Sequence, residues 1–229
     1  MVELDPAIIA GRRLFAGLEA GDLRDILRDA RSSQIARGGA VFDQGEAPQH
    51  FFLLLNGHLQ VVKLTSDGQQ VVVRYVVPGE MFGVAVALGL SAYPASVVAA
   101  EDSVILTWPS AAWPRLVARC PALGANVFHL VGAQLQDAHR SVVEMATEPV
   151  ERRIAHALLR LARQAGRETD GGVEIAFPIS RQDVAKMTGT TLHTVSRTLS
   201  AWEKDGLVAS GRQRIVIRDP RRLFQLAEA

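Results

Sequence analysis

Residues 180–206 read SRQDVAKMTGTTLHTVSRTLSAWEKDG, and few backbones accept that order of residues. Ser180 is placed to cap a helix, with Asp183 three residues on returning the bond in a capping box. Val184, Ala185 and Met187 form the inner face of that helix, and Gly189 permits the positive backbone angle of a tight interhelical turn. Thr191 then caps a second helix whose buried positions are Val195, Leu199 and Trp202. Small Ala185, turn-forming Gly189 and β-branched Val195 stand where two helices meet closely at a steep angle, which is helix-turn-helix spacing.

That arrangement turns Leu192, His193, Ser196 and Arg197 outward from the start of the second helix. A helix so presented puts its first turns against base edges in a DNA major groove. Arg197 can donate two hydrogen bonds to guanine, Ser196 and His193 can donate or accept, and Leu192 offers apolar contact to a thymine methyl. Arg181 and Gln182 are expected on phosphates, and Ser180, Thr190 and Thr191 complete the contacting set at the two helix starts. Downstream, residues 207–217 read as a hairpin with its turn at Ser210-Gly211, a wing that carries Arg212 and Arg214 beside the turn.

Ahead of this segment the period of the apolar residues changes twice. Residues 4–31 read as helical, with Leu14-Phe15 as an anchor. From Ser33 to Trp108 the runs Phe51–Leu55, Leu59–Leu64, Val71–Val77 and Val104–Trp108 are strand-like, separated by turn residues such as Asn56-Gly57, Asp67-Gly68 and Pro78-Gly79. Short strands so spaced predict an antiparallel β-barrel or double-sheet roll. After Pro121, residues Phe128, Val131, Leu135, Ala138, Val142 and Met145 follow at alternating steps of three and four, a one-sided seam on a long helix ending at Glu148-Pro149. Such a seam either lies on its own domain's core or pairs with its twin in a dimer; the second is the expectation. Pro149 opens a further helix with Val150, Ile154, Ala157, Leu158 and Leu161 as its buried face, followed by a loop around Gly171-Gly172.

Composition narrows the function. At 229 residues two domains are the natural expectation. Residues 148–229 hold 14 Lys and Arg against 10 Asp and Glu while the rest hold 11 against 14, a split compatible with phosphate contact in a mildly basic C-terminal part alone. The single cysteine, Cys120, excludes a disulfide framework and fits a cytoplasmic protein, and the N-terminus shows no signal-peptide pattern. Met81–Ala100 carries no charge and is long enough to span a bilayer, but Leu90-Ser-Ala-Tyr-Pro breaks it into two short pieces, so no membrane partner is expected. No nucleophile–base pairing, metal spacing or phosphate-cradling glycine loop stands out, so the chain reads as a non-enzyme. A regulatory module working by protein contact without DNA is the alternative, and the exposed Ser196-Arg197 pair with a basic wing argues against it.

With these pieces placed, the chain resembles the CRP/FNR family of bacterial regulators over essentially its full length. The stretches that carry the resemblance are Phe42-Asp-Gln-Gly-Glu, Leu55-Asn-Gly-His-Leu, Asp67-Gly-Gln, Pro78-Gly-Glu-Met-Phe-Gly and Ser180–Arg197. The resemblance implies an α+β fold: an antiparallel β jelly roll of the cyclic-nucleotide-binding type over 1–120, a dimerisation helix over 121–147 and a winged helix-turn-helix over 148–229. It implies a homodimer on double-stranded, palindromic DNA, with RNA polymerase as a partner. Ser196-Arg197 matches the FNR-type branch, while His193 stands where the family usually has glutamate. The expected site is thus related to TTG…CAA, with altered or looser preference at the base His193 faces.

The signal is less legible. Where cyclic-nucleotide members carry a ribose-binding glutamate and a phosphate-binding Arg-Ser, this chain has Val84, Pro94 and Ala95. A phosphate buried in the charge-free run would lack a cation, a cost on the order of several kcal/mol, so cyclic AMP in the usual mode is not expected. Residues 1–40 contain no cysteine, which excludes the iron–sulfur cluster of the oxygen-sensing members. Tyr93-Pro-Ala-Ser and the stretch from Leu192 to Glu203 look most like the nitrogen-oxide-responsive (NnrR/DNR-like) branch, some of whose relatives sense nitric oxide through haem. His50, His58, His129 and His139 are the imidazoles available for that role.

Overall fold

The computed structural model describes residues 5–228. The chain opens on 3-10 turns at Pro6–Ile8 and Arg13–Phe15, then α1 (Ala20–Leu27). Eight strands follow: β1 (Arg31–Ile35), β2 (Ala40–Phe42), β3 (His50–Asn56), β4 (Leu59–Leu64), β5 (Gln70–Val76), β6 (Met81–Phe82), β7 (Ser96–Ala99) and β8 (Ser103–Pro109). After them come α2 (Trp113–Arg119), α3 (Pro121–Thr147), α4 (Val150–Ala165) and the strands β9 (Gly166–Thr169) and β10 (Gly172–Ile175). The chain ends with α5 (Arg181–Thr188), α6 (Leu192–Lys204), β11 (Val208–Gly211), β12 (Arg214–Ile217) and α7 (Pro220–Glu228). Residues up to Leu64 together with Tyr75–Asp137 form one unit, and Thr65–Arg74 together with the residues from Ala138 on form a second.

Strands β1, β8, β3 and β6 make one sheet in that order, and β2, β7, β4 and β5 make another. The pairings β1–β8, β3–β8, β3–β6, β2–β7 and β4–β7 are antiparallel. Neighbours distant in sequence within two such sheets are the mark of a jelly roll. Phe52, Leu54 and Ile105 pack with Phe42, Phe82 and Tyr93 in one cluster. Phe51, Leu53, Leu106 and Trp108 point the other way and pack with Ile26 of α1, Leu116 of α2 and Leu123 of α3. Both faces of β3 are therefore buried, which is why Phe51–Leu55 is an unbroken apolar run without alternation. Phe51 stacks on Trp108 with ring centroids 5.5 Å apart, and Trp113 closes edge-on at 5.4 Å. The Trp108 indole N–H donates to the Ile26 carbonyl at 2.7 Å, so its burial leaves no donor unsatisfied. Between β3 and β4, Gly57 takes φ +87°, and a Cβ there would lie 2.8 Å from the Asp102 carbonyl oxygen. Only glycine fits that turn.

Two expectations need correction in this unit. The helical reading of 4–31 is too long: residue 4 lies outside the described residues, Gly11 and Gly17 take positive φ, and Arg31 already opens β1. Strands β1, β2, β6 and β7 also go beyond the four runs read from the sequence. Arg31–Ile35 is almost wholly exposed and so carries no apolar pattern to find. The charge-free stretch Met81–Ala100 contains β6, a 3-10 turn at Val84–Leu88 and β7, and no single helix among the described residues is long and apolar enough to cross a membrane.

At 27 residues, α3 runs for about 40 Å. Of its predicted seam, Phe128 is 73% exposed, Leu135 56% and Val142 66%, so these side chains do not lie on the chain's own core. In the second unit Glu144 is buried and accepts from Arg160 of α4 at 2.6 Å, while Arg153 donates to the Met145 carbonyl at 3.3 Å. These contacts strap the end of α3 to α4 across Pro149. The core of this unit is Ile154, Leu158 and Leu161 of α4 with Val184, Ala185, Val195, Leu199 and Trp202. The loop expected around Gly171-Gly172 is the turn of a β9–β10 hairpin, which joins a sheet of order β11-β12-β10-β9.

Replacing Phe51 by Ala removes a ring packed between Trp108 and Trp113 and is expected to cost about 3–5 kcal/mol. A urea-unfolding midpoint unchanged from the parent protein would show that this outer face is not a supporting core.

Candidate nucleic-acid interface

Two helix caps set the geometry of α5 and α6. The Ser180 hydroxyl accepts from the Asp183 amide at 3.1 Å, and the Asp183 carboxylate accepts from the Ser180 amide at 2.8 Å. Thr191 caps α6 by accepting from the Thr194 amide at 3.1 Å. Between the two helices Gly189 adopts φ +61°, the left-handed turn its lack of a Cβ permits. Val195, Leu199 and Trp202 are buried at helical spacing, and the Trp202 indole N–H donates to Glu151 of α4 at 3.0 Å. With that face fixed inward, Leu192, His193 and Arg197 are exposed and Ser196 is half-buried, four residues on one outward stripe. Gln182 and Thr191 are exposed as well, while Ser180, Arg181 and Thr190 are partly covered.

The wing differs from its sequence reading. Ser210 pairs with Ile215 and Gly211 with Arg214, so the turn falls at Arg212-Gln213, two residues later than expected. Gln213 takes φ +58°, an uncommon left-handed conformation for a residue with a side chain. The register follows from side-chain demands on both strands: Val208, Ile215 and Ile217 are buried, and Ser210 is held by hydrogen bonds to Glu203 of α6. Arg212 therefore sits at the wing tip.

The basic residues fall into two groups. Arg181 donates to the Ser210 hydroxyl at 2.7 Å and lies 3.5 Å from the Glu203 carboxylate. Glu203, on α6, in turn accepts from the Ser210 amide at 2.8 Å and from its hydroxyl. One network thus ties the start of α5, the end of α6 and the wing. Arg214 holds Glu174 of β10 with two hydrogen bonds at 2.8 and 3.0 Å, and Arg167 adds a third charge contact at 3.5 Å. The Arg214 hydrogen bonds hold the Glu174 carboxyl below the usual carboxylate range, against the opposing effect of desolvation. Arg197 and Arg212 make no ion pair among the described residues and are exposed, one on the reading helix and one at the wing tip. Sequence reasoning missed Glu203 and Glu174, because neither shares a helical or strand spacing with its partner until the hairpins close.

Capped helices at a tight turn, an outward stripe around Arg197 and a winged sheet are the geometry of a DNA-reading head. Family models agree along the chain: the Crp-like helix-turn-helix domain matches residues 152–226, and the cyclic nucleotide-binding domain matches residues 33–120. A cyclic nucleotide-binding domain followed by a Crp-like helix-turn-helix domain is the make-up of the DNA-binding transcription regulators of the CRP/FNR family, to which the chain is similar along its length. The chain is 29% identical to the cyclic AMP receptor protein of Thermus thermophilus over 217 residues, covering 95% of this chain and 97% of that one. It is 26% identical to the nitrogen fixation regulation protein FixK of Bradyrhizobium diazoefficiens, covering 93% and 89%. Among solved structures, FixK2 of Bradyrhizobium japonicum superposes with a TM-score of 0.78 at 23% identity, over 87% of this chain and 98% of that one. A CRP-family regulator from Thermus thermophilus superposes with a TM-score of 0.71 at 25% identity, over 86% and 97%.

Hydrogen bonds from Ser210 are the main reason the Glu203 carboxyl is held below its ordinary value, with the Arg181 charge adding to them. Its unfolded counterpart titrates near about 4.3, so the tether's contribution is complete above that pH and is lost as pH falls through the lower folded value. Glu203→Gln is expected to lower stability more at pH 7 than at pH 3 and to speed amide exchange at Ser210. Equal loss at both pH values would remove this carboxylate from the wing's support.

Proposed function

We propose that the chain is a homodimeric regulator in which the first turns of α6 from each protomer read the two half-sites of a palindrome about one helical turn apart. The observation that carries this reading is Arg197, exposed and without an acid partner among the described residues, on the outward stripe of a helix capped by Thr191. In the groove its guanidinium pairs with one guanine, Ser196 and His193 meet the flanking bases, and Leu192 rests on a thymine methyl. Arg212 reaches a phosphate from the wing. Arg181 and Arg214, each held by a carboxylate, serve to position the wing and present its backbone. The half-site is of the TTG…CAA type, altered at the base His193 faces. RNA polymerase is the partner through which bound protein acts on transcription.

The dimer is formed by the α3 seam. Phe128, Val131, Leu135, Ala138, Val142 and Met145 are apolar positions on one stripe, and several of them are exposed in the single chain. A second α3 laid along that stripe would remove them from water. The switch is a change in this seam passed to α4 through the Glu144–Arg160 strap, so that the two reading heads gain or lose the spacing of their half-sites.

The signal is a small molecule sensed in the N-terminal unit, other than cyclic AMP in the usual mode. Val84, Pro94 and Ala95 supply no charge for a phosphate, and aromatic rings crowd the space between the sheets. Phe42 stacks on Tyr93 at 3.8 Å and on Phe52 at 5.5 Å, and Phe52 stacks on Phe82 at 5.1 Å. The described residues do not fit haem. His58 is buried with Nδ1 2.6 Å from Glu101, and His139 is exposed. The cavities that His50 and His129 line are open to solvent and include charged groups, where a haem pocket needs an enclosed apolar lining. Nitric oxide sensing through haem therefore contributes no step to this reading.

Selection from a random DNA pool followed by sequencing is expected to return a palindrome with a guanine at each Arg197 contact. Arg197→Ala should then cost about 1–3 kcal/mol on that sequence and relax preference at one base of each half-site. Equal loss on every sequence would reassign Arg197 to the phosphate backbone. Leu135→Glu is expected to give monomers by sedimentation and to weaken binding to the full palindrome by about a hundredfold or more, the scale on which linking two heads raises affinity. A dimer that survives this change would take α3 out of the interface.

A further inference from the structure

A cavity of about 480 Å³ opens in the N-terminal unit, outside the space between the two sheets. Its walls come from three segments distant in sequence: the 3-10 turn at Arg13–Phe15, the turn between β5 and β6, and the middle of α3. Leu14, Met81 and Leu130 give it an apolar floor. The size lies within the usual range for small-molecule sites, which are mostly apolar with a few convergent polar groups.

The polar groups around this floor divide by charge. Asn126 directs its side-chain nitrogen at the Leu14 and Ala16 carbonyls, at 2.8 and 3.0 Å. Glu80 accepts from Gln134 at 2.9 Å and from the Val77 amide at 3.3 Å. Those two groups are committed to the protein. Arg12 uses only Nε, on the Ile8 carbonyl at 3.1 Å, and has no acid partner among the described residues. One of its terminal nitrogens lies over Gly79, where an added Cβ would come within 2.8 Å of it. The side chains of Arg13 and His129 make no hydrogen bond or ion pair among the described residues, and both line the cavity. What is left uncommitted around an apolar floor is thus two guanidinium groups and an imidazole.

We propose that this cavity binds a small amphipathic carboxylic acid, with its carboxylate on Arg12 and Arg13 and its apolar body on Leu14, Met81 and Leu130. A guanidinium fork matches a carboxylate edge on, which favours this head group over a neutral one. His129 adds a donor from α3. Such a ligand joins the N-terminal turn, the β5–β6 turn and α3, one residue from Phe128 of the seam. The proposal deepens the sensor reading given above by naming a ligand class, and only its effect on DNA rests on that reading.

The test is calorimetric titration of the full chain with octanoate and phenylacetate, set against octanol and phenylacetamide as their neutral counterparts. The expected result is saturable binding of at least one carboxylate at concentrations below about 10 mM, with its neutral counterpart about tenfold weaker or worse. Arg12→Gln with Arg13→Gln should lose about tenfold, and Ala133→Trp, which fills the cavity from the exposed side of α3 without changing charge, should abolish binding. The proposal is overturned if neither carboxylate binds, if the neutral compound binds equally well, or if Ala133→Trp, shown folded by its thermal melt, leaves binding intact. Because binding is read directly, a chain that failed to bind DNA would sink the regulator reading while leaving this result to stand or fall by itself.

Discussion

The rotation of α6 about its own axis is set by three side chains, Val195, Leu199 and Trp202, which cannot leave the core without exposing their apolar surface. Everything the reading head offers to a partner follows from that rotation. Once those positions point inward, Leu192, His193, Ser196 and Arg197 have one direction left, and the caps at Ser180 and Thr191 determine where along the axis that stripe begins. The Trp202–Glu151 hydrogen bond adds a polar fix to an apolar one. The orientation of the helix is thus built into its own domain before any DNA arrives.

Charge placement on this head separates recognition from support. Five arginines, Arg167, Arg181, Arg197, Arg212 and Arg214, look alike as sequence letters. Three of them face carboxylates, Arg181 at Glu203 and Arg167 and Arg214 at Glu174. Two do not. A guanidinium already held by a carboxylate must give up that pairing to take a phosphate, whereas an exposed, unpartnered one gives up only water. On the proposed reading Arg197 and Arg212 carry the contact, and the acids that hold the others support the wing.

The N-terminal unit solves a different packing problem. Its central strands are apolar on both sides because one face meets the opposite sheet and the other meets α1, α2 and α3. The side chains between the sheets are aromatic and stacked, with the Tyr93 hydroxyl donating to the His50 carbonyl at 2.5 Å and its own ionisation pushed up by burial. Space for a ligand is consequently found on the outer side, where the N-terminal turn and α3 leave a gap over the β5–β6 turn. That gap borders the same helix whose apolar seam is exposed in the single chain.

Much of this was legible in the residues alone. The capping box at Ser180, the turn at Gly189, the seam from Phe128 to Met145 and the strands from Phe51 to Trp108 are local or periodic, and short-range sterics and hydrogen bonding suffice to specify them. Exposed β1 was invisible because nothing in it is buried, and the first thirty residues misled because Gly11 and Gly17 interrupt an otherwise helical composition. The sequence by itself determined the capped helices of the reading head, the long apolar seam and the buried strands, and which face of each is apolar. Only the tertiary structure decided where the wing turns, which arginines remain unpaired and which cavity keeps its cations uncommitted. Those outcomes depend on pairings between residues far apart along the chain, and such pairings exist only after the hairpins and helices have docked.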